Sequence, residues 1–346
     1  MNEASCDIII PVLDQLEMTR NCLESIRANT RSPYNVIVID NNSSQGTKSF
    51  LKNFATNNKN FTVVTNDENL GWVRAVNQGI RLSRAPYVCV MNNDTLVVTK
   101  DWLRKMIVIA EAEGEIGLVN PTFDVKNKTA AVSAYVEIDF CRGYCVLIKR
   151  AVTERIGGLD EAYGLGYYDD DDFSVRAIRA GFKCVRANGV TVKHLGDSTF
   201  SSLYTDSKRG ALHEANKKLF YSKWGRRLNI FFASSHPDDK RLSEILISLA
   251  RRQHIVYLRP LSPASLGKAH INIREWPLPG PFPGLFLTGG LAVNNFKSPR
   301  KRYDVVFFDD ARLGPPILKA RPDARFVDIS KDRSTIDEIA DAASRA

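Results

Sequence analysis

Uninterrupted apolar runs alternate with stretches of helical spacing along this chain. Cys6–Val12 (C-D-I-I-I-P-V), Asn35–Ile39, Phe61–Thr65 and Tyr87–Met91 read as strands. Between them, Glu17–Ala28, Gly46–Thr56 and the stretch from Gly71 through Arg81 repeat apolar residues at the spacing of one helix face. A strand that is apolar at every position leaves no face for water, so helices cover both sides. The alternation predicts an α/β fold with a mostly parallel, doubly wound sheet. Asp101–Glu113 continues it as an amphipathic helix, Ile116–Val119 as a strand, and Lys126–Ala134 as a polar loop. Strands at Lys183–Ala187 and Val190–His194 follow, then a helix over 203–224.

The pattern restarts at Leu228. Leu228–Ala233 and Ile255–Leu258 read as strands around a helix at Arg241–Arg252, and Tyr303–Phe308 and Ala324–Ile329 as two more before a closing helix from Thr335. Pro277–Pro283 reads as loop. This fresh βαβ run, in a chain of 346 residues, predicts two units, 1–225 and 226–346, the second smaller and Rossmann-like.

Composition narrows the partners. The net charge is +9, with basic clusters at Arg226-Arg227, Arg251-Arg252 and 297–302. No helix-turn-helix, zinc-finger or aromatic RNA-binding pattern accompanies the charge, so no nucleic-acid partner is expected. A phosphate-bearing substrate, an anionic membrane surface or a plain solvated face all suit it. No apolar run reaches a membrane span, and the start reads as free of a signal peptide. The six cysteines form no C-x-x-C pair and several sit in apolar runs, so they read as reduced thiols of a cytosolic protein.

Polar chemistry gathers where strands stop. Tyr87–Met91 ends on Asn92-Asn93-Asp94, hard oxygen ligands of the kind that Mg²⁺ or Mn²⁺ takes when it escorts a diphosphate. The same string also suits a turn capping the next element. Asn35–Ile39 ends on Asp40, which could accept hydrogen bonds from a nucleobase or ribose, or close an Asx turn. Asn69-Leu70-Gly71 leads into a helix whose first turn offers N–H groups to an anion. Arg74 and Asn77 share one face of that helix. Asp169-Asp170-Asp171-Asp172 crowds four carboxylates, which raises some of their pKa values and suits a general base, although a helix N-terminus also favours acids.

Four strings occur in order: I-I-I-P-V, V-I-V-I-D-N-N-S-S, N-L-G-W-V-R-A-V-N-Q-G and V-M-N-N-D-T. Together they resemble the nucleotide-sugar half of family 2 glycosyltransferases with the GT-A fold, particularly the rhamnosyltransferase-like branch. The resemblance implies donor binding by Pro11, Val12, Asp40, Asn69, Gly71, Arg74, Asn77, Asn92, Asn93 and Gly143. The last lies in Phe140–Ile148, which is similar to the strand beneath the donor sugar. Ile156–Glu161 matches a G-G-[FL]-D-E turn. The family's D-x-D begins here with Asn92, leaving Asp94 as the main carboxylate. The family's E-D-x-D maps onto Asp169–Asp172, implying Asp170 as catalytic base and Asp172 as a structural carboxylate facing Arg176. His194, with Gly196, Ser198 and Thr199, matches the element whose histidine completes the metal site.

The implied activity is inverting, metal-dependent (Mg²⁺ or Mn²⁺) transfer of a hexosyl or deoxyhexosyl group. The donor would be a dTDP- or UDP-linked sugar such as rhamnose. The acceptor would be a hydroxyl of a growing surface polysaccharide or lipid-linked glycan, reached near the 126–134 loop. The location implied is cytoplasmic, either free or peripheral at the inner face of the plasma membrane. The alternative is a non-catalytic nucleotide-sugar or glycan-binding assembly subunit, since Asn92 departs from the motif. The second unit is similar to the N-terminal half of GT-B glycosyltransferases, without a donor-binding half, and could dock an acceptor, a membrane or a partner subunit.

Overall fold

The computed structural model describes residues 5–123, 133–196, 205–234, 240–260, 270–275, 303–308, 325–328 and 336–345. The chain divides into two compact units, Met1–Phe220 and Tyr221–Ala346.

The first unit opens with β1 (Cys6–Val12), α1 (Leu16–Asn29), β2 (Tyr34–Asp40), α2 (Gln45–Asn57), β3 (Phe61–Thr65), α3 (Gly71–Leu82) and β4 (Tyr87–Met91). It continues with β5 (Thr95–Val97), α4 (Trp102–Ala110), β6 (Ile116–Thr122), β7 (Tyr135–Ile138), β8 (Cys145–Lys149) and α5 (Arg150–Ile156). A short 3₁₀ turn, α6 (Asp169–Arg179), β9 (Lys183–His194) and a helix at Asp206–Trp224 follow. The α/β expectation holds: the strands form one sheet ordered β3-β2-β1-β4-β8-β6-β9-β5, with β7 on β9. All seven residues of β1 and all five of β4 are buried, including Asp7, whose carboxylate accepts hydrogen bonds from Asn35, Ser83 and the backbone of Arg84 and Ala85.

One core packs Ile8, Ile10, Val36 and Val38 against Cys22, Leu23 and Ile26 of α1 and Trp102 and Met106 of α4. The opposite core packs Ile9, Ile37 and Val90 under Ala75 and Val76 of α3 and Phe173 of α6. Burying each large apolar side chain contributes about 1.5–3 kcal/mol against conformational entropy.

Strand direction positions the site. β1, β2, β3 and β4 are mutually parallel, so all four finish on one edge of the sheet. β8 runs antiparallel to β4 and starts at that same edge, with Cys145 opposite Met91. β6 is antiparallel to β8 and β9 parallel to β6, which returns the end of β9 there as well. Val12, Asp40, Asn92-Asp94, Gly143-Tyr144 and His194 thus share one rim.

Several boundaries differ from the periodicity. The two strands expected at 183–187 and 190–194 are one strand, bent at Gly189 (φ 91°), which pairs with β6 and β7 before the bend and with β5 after it. The short β5 and β7 carry too few residues to show a period. α6 begins at Asp169, so all four aspartates occupy its first turn. The described part of the second unit has a parallel sheet ordered β12 (Ile273–Glu275), β11 (Ile255–Pro260), β10 (Asn229–Ser234), β13 (Val305–Phe308) and β14 (Arg325–Asp328). Counted along the chain this is 3-2-1-4-5, the order of a doubly wound domain. Helices Lys240–Arg251 and Ile336–Arg345 contribute Leu242, Leu246, Leu249, Ile336 and Ala340 to its core.

Candidate active site

Asp94 and His194 come together because β5 folds straight back onto β9, with Thr95 opposite His194. His194 Nε2 lies 3.3 Å from Asp94 Oδ1 and 3.2 Å from Asn92 Nδ2. Asp94 is 4% exposed, and Asn92 Oδ1 is buried with no hydrogen-bond partner among the described residues. A carboxylate, an imidazole and a spare amide oxygen on one rim fit a hard divalent cation that takes its remaining ligands from phosphate or water. Among the described residues no group of three or more His, Cys, Asp or Glu is arranged to hold a metal ion. Asn93 faces away, its Nδ2 donating to Thr19 Oγ1 of α1 at 3.0 Å.

The carboxylates of α6 stand beside this pair. Gly143 N donates to Asp170 Oδ2 (2.9 Å), and Asp171 N donates to Asp170 Oδ1 (3.0 Å). The next residue, Tyr144, stacks on the His194 ring with centroids 5.4 Å apart, and its carbonyl accepts Asn92 N–H at 2.9 Å. Two consecutive residues therefore bridge the base candidate to the cation candidate. Asp169 is buried and accepts Trp72 Nε1–H at 3.1 Å. Burial first, then the charge of Asp170, pushes Asp169 up to about 8. Burial also raises Asp170, opposed by the N–H groups of Gly143 and Asp171. Two backbone donors stabilise charge on Asp170, so the proton settles on Asp169 and the pair divides into one neutral acid and one carboxylate. A small cavity of about 20 Å³, room for one water, lies among Trp72, Gly143, Asp169, Asp170 and Phe173.

The loop that delivers α6 is strained. Tyr167 and Tyr168 have φ of 69° and 66°, a left-handed conformation costly for aromatic residues. Asn216, on the helix at Asp206–Trp224, holds it by donating Nδ2 to the carbonyls of Tyr163 (2.9 Å), Gly166 (2.7 Å) and Tyr167 (3.3 Å). Asp172 pairs with Arg176 Nε at 2.8 Å, as the spacing of four predicts, and that guanidinium also caps the carbonyls of Ile156 and Gly158.

The expected donor-side residues separate into two groups. Asp40 is fully buried at the end of β2, its Oδ1 accepting Ser43 N–H at 2.9 Å and its Oδ2 lacking a hydrogen-bond partner among the described residues. Pro11 and Val12 lie beside it in register, Val12 opposite Asp40. Asn69 and Gly71 spend themselves on each other, Asn69 Oδ1 accepting Gly71 N–H at 2.9 Å, so that first-turn donor is already paired. Gly71 has φ 77°, and a Cβ there would sit 2.9 Å from Leu165 Cδ2. Asn77 does not face the rim: its amide binds the backbone of Leu159 in both directions and reaches Glu161 Oε1. Arg74 is exposed and lies 3.5 Å from Glu161. Both residues of that helix face are turned to the 156–161 segment, because its glycines let it pack closely; a Cβ on Gly158 would fall 2.3 Å from Asn77 Oδ1. Ser198 and Thr199, and most of the 126–134 loop, lie outside the described residues. Trp72, Tyr144 and Asn216 carry no pattern that marks them as site residues; each acts through a contact distant in sequence.

Residues 7–156 match the family model described as "Glycosyl transferase family 2". The chain is 30% identical over 203 residues to Glycosyltransferase AglE of Haloferax volcanii, covering 54% of this chain and 66% of that protein. Among solved structures it is similar to mannosyltransferase PcManGT from Pyrobaculum calidifontis, in complex with GDP-Man and Mn²⁺ (TM-score 0.49, 20% identity, 57% of this chain and 58% of that one). It is also similar to GalNAc-T7 with UDP, GalNAc and Mn²⁺ (TM-score 0.49, 13% identity, 56% and 44%). The chain thus spans about half to two-thirds of the length of these relatives. Residues 7–156 thus form a glycosyl transferase family 2 domain, set in a first unit of mixed α/β fold with a large, mostly parallel sheet.

Proposed function

We propose that the first unit is an inverting glycosyltransferase that moves a sugar from a nucleotide-diphosphate donor to an acceptor hydroxyl. The observation that carries this reading is the Gly143-Tyr144 bridge, which sets a hydrogen-bonded carboxylate and an Asp–His pair side by side on one rim. Asp170 takes the proton of the acceptor hydroxyl, whose oxygen attacks the anomeric carbon as the bond to the diphosphate breaks on the opposite face. Asp169, holding its proton, removes the like charge that would otherwise compete for the same space. Asp94 and His194 would hold Mg²⁺ or Mn²⁺, with Asn92 Oδ1 available to them. The chemistry supplied there is neutralisation of the departing diphosphate. Asp40, through its unpartnered oxygen, takes an N–H or O–H of the nucleoside, beside Pro11 and Val12. Asn77 and Asn93 serve as scaffold, and Gly71 with Asn69 shapes the entry to α3.

The family motifs favour a dTDP- or UDP-linked hexose or deoxyhexose such as rhamnose, and a surface polysaccharide or lipid-linked glycan as acceptor. A cytoplasmic site, peripheral to the membrane, would suit such an acceptor. The second unit, with its 3-2-1-4-5 sheet, is assigned to docking of acceptor, membrane or a partner subunit. The test is nucleotide release from a panel of UDP- and dTDP-sugars with Mn²⁺ or Mg²⁺. Asp170→Asn is expected to abolish turnover while donor binding persists; equal turnover removes the base. Donor binding without turnover by the unaltered chain would instead favour the assembly-subunit reading, to which Asn92 in the D-x-D position lends its weight.

A further inference from the structure

Beyond Gly143 the same segment presents a second feature that the proposed reaction does not use. Asn120 is 4% exposed and grips the backbone of Arg142 from both sides, Nδ2 donating to its carbonyl (3.0 Å) and Oδ1 accepting its N–H (3.2 Å). The same Nδ2 donates to Cys145 O at 2.6 Å, so the bend from 142 to 145 is fixed from a buried anchor. The Arg142 side chain therefore leaves the chain one residue from the contact with Asp170, in a defined direction. Its guanidinium carbon lies 5.3 Å from the centre of the Phe123 ring, just past the end of β6. Phe123 is 53% exposed, and among the described residues no carboxylate lies within ion-pair distance of Arg142.

The buried Asn120 amide fixes the backbone of Arg142, whose planar guanidinium rests on an exposed aromatic ring. Its donors match the paired oxygens of a carboxylate or phosphate. The ring beneath offers an apolar face of the size of a pyranose. The field of Arg142 also reaches Asp170, so a group bound there lies beside the candidate base.

We infer that Arg142 and Phe123 form an acceptor subsite that selects an acidic glycan, with a carboxylate or phosphate close to the attacking hydroxyl. The inference rests on the transferase reading for the word acceptor, and on the geometry alone for the anion.

The experiment uses the full chain and three probes: citronellyl-diphosphate-linked N-acetylglucosamine, p-nitrophenyl glucuronide and neutral p-nitrophenyl glucoside. Binding is read by intrinsic fluorescence, and transfer by acceptor and donor KM with whichever nucleotide sugar turns over. At least one acidic probe is expected to bind more tightly than the neutral one, and which of them does so separates a lipid diphosphate from a uronate. Arg142→Gln should weaken that probe about tenfold with little change for the neutral one, and Arg142→Lys should fall between. Phe123→Ala should weaken all three. No preference for either acid, or an Arg142→Gln effect that falls on donor KM instead, overturns the inference while leaving the transferase reading intact. Tight binding of an acidic probe by a chain that consumes no donor would keep the subsite and remove the transferase.

Discussion

At the scale of single residues, the division of labour between Asp169 and Asp170 follows from what each oxygen touches. Asp170 accepts two backbone N–H groups, whereas Asp169 is buried against the Trp72 indole. The folded pKa of Asp169, about 8, exceeds its unfolded value near 3.9, so the native state binds the extra proton between those limits. Stability from this group is therefore complete at low pH and is lost as pH rises towards and past 8. Asp169→Asn keeps the acceptor for Trp72 and discards the titration. It should raise stability at pH 9 relative to the unaltered chain by on the order of 2 kcal/mol, with the gain shrinking as pH falls and gone below about pH 4, as read by denaturant unfolding. The same variant should keep turnover near neutral pH, since the amide is as uncharged as the protonated acid that it replaces. That acids would cluster here was legible from four consecutive aspartates. Which one keeps its charge was not, because Gly143 and Trp72 are 27 and 97 residues away from their partners.

At the scale of elements, strands were legible and their ends less so. Ile8–Ile10 of β1, Val36–Ile39 of β2 and Tyr87–Met91 of β4 are apolar without a break because helices cover both faces, and that leaves a plain mark on the sequence. The expectation that Asn77 faces the donor read its helix face correctly and its neighbour wrongly; the 156–161 turn, thinned by Gly158, occupies that face. The left-handed pair Tyr167-Tyr168 had no sequence signal, since nothing local favours positive φ in tyrosine. Its stabilisation comes from Asn216 across about fifty residues. Asn216→Ala strands buried carbonyls and should cost about 1–3 kcal/mol of stability by thermal unfolding. With the loop released, kcat should fall about tenfold or more while donor KM changes little, because the base loses its place and the donor contacts do not. An unchanged kcat would show that α6 is positioned without this clamp.

At the scale of the whole molecule, two α/β units carry separate cores and separate pH responses. His254, 3% exposed in the second unit, is held down at about 4 by burial and then by Arg252, against the opposing charge of Asp341 and Asp304 and with Arg227 adding to the decrease. Its unfolded value near 6.5 is higher, so the unfolded state binds the proton first as pH falls. Stability of the second unit should therefore decline from pH 6.5 towards 4, by about 3 kcal/mol at most, and His254→Gln should flatten that decline in a pH series of unfolding curves. Among the described residues no helix is long and apolar enough to cross a membrane.

The central claim is that the Asp94–His194 pair and Asp170 serve one reaction across the Gly143-Tyr144 bridge. The most direct measurement is a crystal structure of the full chain soaked with Mn²⁺ and the UDP- or dTDP-sugar that it turns over. The account predicts Mn²⁺ between Asp94 and His194, the diphosphate on it, and the anomeric carbon facing Asp170. A cation bound elsewhere, or a sugar turned away from Asp170 with the donor in place, would contradict it.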